Sequence, residues 1–140
     1  MKRTPTLAAA ARFHGHLGPW LALGLRAGRY AARKLKANPF QLRARVFCPA
    51  RTPYTCFLDG IQFGSGCTMG KGNIRHIRCR RVRAEFRRTS GPGALLLELR
   101  PEVWTELHLR PARSPRDLAA RARAFFRRPF PALFVERPGT

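Results

Sequence analysis

Acidic side chains are scarce in this 140-residue chain: 7 Asp and Glu stand against 28 Lys and Arg, a formal charge of +21. That balance excludes an acidic disordered chain and a neutral secreted scaffold. It raises polyanionic partners, namely nucleic acid, an anionic membrane face or phosphorylated ligands. Lysine is scarcer still, at 4 against 24 arginines, so the charge also fits the compositional drift of a GC-rich genome. Long apolar runs are missing. The run Leu7 to Ala11 ends at Arg12 after five residues, short of the roughly 7–15 of a signal-peptide core. The longest charge-free stretch, Phe13 to Leu25, carries His, Gly and Pro, and no transmembrane helix fits it. Cysteine is limited to positions 48, 56, 67 and 79, with no CxxC pair, which excludes a zinc ribbon or finger. Without a secretory signal, these thiols are expected to be reduced in a cytoplasmic protein. The length suits one domain, 1–140, and excludes an enzyme with separate cofactor and substrate halves.

Periodicity predicts a helix over 5–13 and a second from Pro19, a favoured first-turn residue, to about Lys36. Gly24 and Gly28, four apart inside that second helix, point to close helix packing. The segment 41–48 alternates as a half-buried strand. Segment 56–66 is ambiguous: Cys56, Asp59 and Phe63 share a helical face, but Gly60 weakens a helix and Gly64 and Gly66 stop it. A strand is expected over 74–88, with a register break near Arg80, and another over 94–100, the two forming a hairpin. Ser114 caps a last helix that runs to about Arg128 with Leu118, Ala122 and Phe125 inward. Residues 129–140 read as an irregular tail or a short edge element. The fold class is α+β: helices packed on a small, mainly antiparallel sheet.

Two segments hold most of the unusual chemistry. In FHGHLGPW, His14 and His16 flank a glycine just before a helix start, where two neutral imidazoles can meet one ion. The alternative is a capping His beside an exposed one. In the second segment, Cys56 and Cys67 offer thiolates, but on an unbroken helix they stand about 16 Å apart. They share an ion only if the chain turns back at Gly64 or Gly66, and both also suit a buried core. Asp59, one turn after Cys56, can act as a ligand, as the acceptor for a His N–H, or as a proton acceptor and candidate catalytic base.

The loop GSGCTMGKGN reads as an anion cradle or a tight turn. Gly66, Thr68, Gly70, Lys71, Gly72 and Asn73 are its candidate ligand-binding residues, with Lys71 as a point charge. It matches neither the P-loop nor the dinucleotide fingerprint. The stripe Arg75, Arg78, Arg80, Arg81, Arg83, Arg87 and Arg88 is the basis of the rival reading, a basic nucleic-acid-binding module. On one strand these arginines fall on both faces, and a solvated edge strand is the plainer account.

Together, Phe13-His14-Gly15-His16-x-x-Pro19 and Cys56-x-x-Asp59-x-Ile61-Gln62-x-x-x-Gly66-Cys67-Thr68-x-Gly70-Lys71-Gly72-Asn73 resemble the FmdE-type domain associated with formylmethanofuran dehydrogenase. The resemblance implies a compact α+β domain, commonly a homodimer, with a metal held by His and Cys. Its candidate ligands are His14, His16, Cys56 and Cys67. Such a donor set suits zinc, with nickel, iron or haem iron as alternatives. The family takes its name from a component associated with a molybdenum or tungsten enzyme of one-carbon metabolism. The C-terminal zinc ribbon of some members is not expected here. Two positions depart from the pattern: Gly18 stands where the family has Cys, and Trp20 where it has Gly. An anionic small ligand beside the metal is the functional expectation. The residues name no substrate and leave enzymatic status open.

Overall fold

The computed structural model describes residues 4–109 and 111–139. Its elements run α1 (Leu7–His14), α2 (Pro19–Lys34), β1 (Leu42–Cys48), α3 (Cys56–Ser65), β2 (Ile74–Arg78), β3 (Arg83–Arg88), β4 (Ala94–Leu99), α4 (Pro101–Leu109), α5 (Pro115–Arg127), α6 (Phe130–Leu133) and β5 (Phe134–Pro138). The class is α+β, as composition and patterning suggest. The five strands form one sheet in the order β2-β1-β3-β4-β5, antiparallel except for the parallel pair β1–β2.

Alternation sets the two faces of that sheet. Leu42, Ala44 and Val46 of β1, Ala84 and Phe86 of β3, and Leu95 and Leu97 of β4 point inward. They meet Leu23, Ala27 and Ala31 of α2 and Phe57 and Ile61 of α3. The opposite face of α2, through Leu21 and Leu25, packs on Ala10 of α1. Helix α2 is therefore covered on both sides, which explains its all-round apolar composition.

The glycines of α2 find their partner inside the chain. A Cβ on Gly24 would sit 2.2 Å from the Phe57 carbonyl oxygen, and one on Gly60 would sit 2.3 Å from that of Leu21. Gly28 and Gly64 repeat the arrangement one turn later, against Ile61 and Leu25 respectively. Two glycines on each helix thus let the α2 and α3 backbones touch. Gly60, which counts against a helix by propensity, is a packing requirement of that helix. Because α3 already fills them, the α2 glycines are not open to a second chain.

One expectation about the strands changes. The segment 74–88 is two strands. The chain crosses the end of β1, with the Cys79 N–H bonded to the Cys48 carbonyl at 3.1 Å, so β2 and β3 flank β1 on opposite sides. The tail 129–140 is ordered over 130–138 as α6 and β5, which closes the sheet against β4. Helix α4 follows directly from β4, where the sequence shows no strong helical period. Among the described residues no helix is long and apolar enough to cross a membrane.

Candidate metal centre

Two helix ends build the site. Helix α1 starts at Thr6, whose Oγ1 accepts the Ala9 N–H at 3.1 Å, and stops at Gly15, which is left-handed at φ 104°. Glycine adopts that conformation without steric cost, and it turns the chain so that His14 and His16 face each other with ring centres 4.5 Å apart. Cys56 opens α3 and is brought to the same place by the glycine contact of α2 with α3. The His14 and His16 imidazoles and the Cys56 thiol offer ligand atoms that all lie within 4.8 Å of one another. Tetrahedral zinc holds N and S ligands about 3.3–3.8 Å apart at its usual bond lengths. The cluster needs only a small contraction to meet an ion.

The hydrogen bonds around His14 define its free atom. Its Nδ1 lies 2.6 Å from Asp59 Oδ2, while its Nε2 is buried and has no hydrogen-bond partner. A buried polar atom left without a partner is costly, and here it belongs to a ring that clusters with two other metal-ligating groups. Asp59 Oδ1 accepts from Gln62 Nε2 at 3.2 Å, and Gln62 Oε1 in turn accepts the Met69 N–H at 3.0 Å. Asp59 thus holds the ring through Oδ2 and is itself fixed by Gln62 through Oδ1, the usual arrangement behind a ligating histidine.

The protonation states of the histidine and the thiol pull opposite ways. His16 is held below the ordinary histidine range, first by burial and then by the neighbouring His14, which keeps it neutral and its lone pair available. Burial is also the main reason the Cys56 thiol is pushed up, with Asp59 adding to it and a backbone hydrogen bond opposing it. A bound cation reverses that balance, because a coordinating thiol loses its proton.

Two clefts reach the cluster. One, of about 200 Å³, is lined by His16, Gly18, Trp20, Cys56, Leu107 and Leu118 among others. The other, of about 370 Å³, is lined by His14, Cys56, Asp59, Gln62, Met69 and His76 among others. Trp20 forms a wall of the first and is itself packed edge-on against Tyr54 and Trp104. A Cβ on Gly18 would lie 3.4 Å from His16 Nε2. The place of the missing family cysteine therefore adjoins the ligand atom of His16.

Residues 13–128 match the family model described as "FmdE, Molybdenum formylmethanofuran dehydrogenase operon". The chain belongs to the FmdE family. A "Probable S-adenosyl-L-methionine-binding protein" of Archaeoglobus fulgidus is 32% identical over 83 residues, which cover 54% of this chain and 21% of that protein. The chain spans about one fifth of that relative's length, and the ligand in its name belongs to that protein.

Within this FmdE-family chain, the structure brings together three of the four expected ligands. Cys67 stands apart. Helix α3 runs unbroken to Ser65, and the chain turns only at Gly66, φ 79°. Cys67 is fully buried, and its N–H is bonded to Ser65 Oγ. The glycine loop also lies elsewhere. Thr68 N–H donates to Asn73 Oδ1, Gly72 N–H to the Thr68 and Met69 carbonyls, and Lys71 Nζ to Thr68 Oγ1 at 2.9 Å. Asn73 Nδ2 ties the loop to the Pro39 and Leu42 carbonyls. Most loop N–H groups are therefore engaged internally. Gly70, Lys71, Gly72 and Asn73 border the outer sheet face, and only Met69 lines the His14 cleft.

Sequence reasoning missed Gln62 as the link between loop and Asp59, though it belongs to the same motif as Asp59 and Cys67. It also missed Leu107 as a cleft wall, because no helical period marks α4 in the sequence.

Proposed function

We propose that the protein is a metal-binding FmdE-family domain in which His14, His16 and Cys56 hold one transition-metal ion, zinc by donor chemistry. Its fourth position faces the Gly18–Trp20 cleft and admits a small ligand with an anionic donor atom. The single observation that carries this reading is the buried His14 Nε2, without a partner, on a ring that clusters with His16 and Cys56 while Asp59 holds its other nitrogen. Two His and one Cys match the zinc donor set, and three protein ligands with one open place are the pattern of sites that take an outside ligand. A bound ion supplies Lewis acidity there. The chain's own groups set its direction: Gly18 leaves space beside His16, Trp20 and Leu118 keep the approach apolar, and Asp59 fixes the His14 tautomer. A homodimer belongs to this reading on the family resemblance alone. So does a reducing, cytoplasmic setting, in which a thiolate ligand stays available.

Elemental analysis of the purified protein tests it. About one metal per chain is expected, with a large loss in His14→Ala and Cys56→Ser and retention in Cys67→Ser. No metal in the parent, or equal content in all variants, sinks the reading.

A further inference from the structure

The sheet has a second face, and strand order decides what lies on it. β1 contributes Arg43 and Arg45, and β2 contributes Arg75. β3 adds Arg83 and Arg87, and β5 adds Arg137, all at outward positions of the observed registers. Among the described residues that line this side, none belongs to a helix. Arg43 stands directly opposite Arg87, and Arg45 opposite Arg75. Like charges paired across strands destabilise a sheet; Glu85, opposite Arg45 on β3, relieves that arginine, and the Arg43–Arg87 pair has no carboxylate of its own.

The carboxylates of this face are already engaged. Glu85 pairs with Arg45 at 3.1 Å, and Glu98 pairs with Arg81 and Arg137. Arg43, Arg75 and Arg87 make no ion pair, hydrogen bond or ring contact among the described residues. They line a groove of about 1070 Å³ whose floor includes Ile77 and Leu96. At its rim Lys71 lies 5.6 Å from the ring centre of Phe40, which is 77% exposed.

We propose that this open sheet face binds single-stranded nucleic acid, with Arg43, Arg75 and Arg87 taking phosphates and the Phe40 ring offering a stacking surface to a base. Charges on successive strands with an exposed ring beside them form a backbone-tracking groove with a base platform. At about 1070 Å³ the groove is too large for one small anion. Among the described residues that line it, Phe40 alone is a large exposed apolar side chain, which is little to insert into a lipid surface. The face is separate from the metal centre, so the proposal holds or fails independently of it.

The test is fluorescence anisotropy of the whole chain with a labelled mixed-sequence 12-nucleotide RNA and the matching DNA, over a salt series. The face variant Arg43→Gln/Arg75→Gln/Arg87→Gln is compared with Arg116→Gln/Arg123→Gln/Arg127→Gln on α5, which removes the same charge elsewhere. The face variant is expected to weaken binding about 100-fold at low salt. Its log–log salt slope should fall by about 2, from roughly 0.7 per phosphate contact on a single strand. The α5 variant should stay within about threefold of the parent. Phe40→Ala should cost about 5- to 100-fold. Unchanged metal content and melting curves show that the variants are folded. Equal losses in both triple variants overturn the proposal, because binding then follows total charge. So does absence of oligonucleotide binding, including the outcome in which only anionic phosphatidylserine vesicles are bound and the face variant releases them.

Discussion

The helical side and the open sheet face of this molecule solve opposite problems. On the helical side, four glycines bring two backbones together, and the His14, His16 and Cys56 ligand atoms converge within 4.8 Å at the edge of that packing. On the sheet face, like-charged arginines are held opposite one another and left open to solvent. The first arrangement is made of short-range packing, where a single methyl matters. The second is made of charge, where screening softens every pair and no single residue decides the outcome. A site that depends on fixed geometry therefore sits against the packed helices, and a surface suited to a polyanion sits on the open sheet.

The largest effect that tests this contrast is on Gly60. Gly60→Ala puts a methyl 2.3 Å from the Leu21 carbonyl oxygen and 2.7 Å from the Leu25 nitrogen. Both neighbours are backbone and cannot step aside, so a loss of about 3 kcal/mol is expected from overpacking, read by urea denaturation. A change below about 0.5 kcal/mol, the size of an ordinary surface substitution, would mean that the helices are not in contact as described.

A middle-sized effect belongs to Asp59. Asp59→Asn keeps the side-chain shape but weakens the hold on the His14 ring. Metal affinity, measured by chelator competition, should fall about 10- to 100-fold, with oligonucleotide affinity unchanged. A parallel loss of both would show that the two faces are coupled and break the comparison.

Gly18→Cys gives the smallest change and sharpens the open-position idea. The new side chain starts 3.4 Å from His16 Nε2, close enough to add a donor. In the Co(II)-loaded protein the thiolate absorption should about double, as one sulfur ligand becomes two. Added cyanide should no longer alter the visible spectrum. An unchanged thiolate band would place the open position elsewhere.

Much of the site is legible before folding. His14 and His16 flank a glycine that forces a turn, and that local rule holds in the structure. Asp59, one turn after Cys56, reads as a ligand, a histidine acceptor or a proton acceptor, and folding sets it on His14 Nδ1. Cys67 departs from its expected place for a physical reason: its distance from Cys56 depends on whether the glycines of α3 bend the helix or pack it. Propensity argues for bending, but α2 lies against those glycines and keeps the helix straight. The loop around Lys71 departs from expectation in the same way. Its N–H groups look available in sequence, and only folding shows them bonded to Asn73, Gln62 and Thr68.

By itself the sequence determined the α+β class, the helix starts at Pro19 and Ser114, the alternation of β1, the family motifs and the excess of arginine. Each of these depends on residues within a turn or two of one another. Only the tertiary structure decided that β2 runs parallel to β1 while β3 runs antiparallel on its other side. That one crossing gathers arginines distant in sequence onto a single face. Only the tertiary structure, too, set Cys56 rather than Cys67 beside the histidines. Strand order and helix contact are settled by long-range burial, which no local pattern encodes.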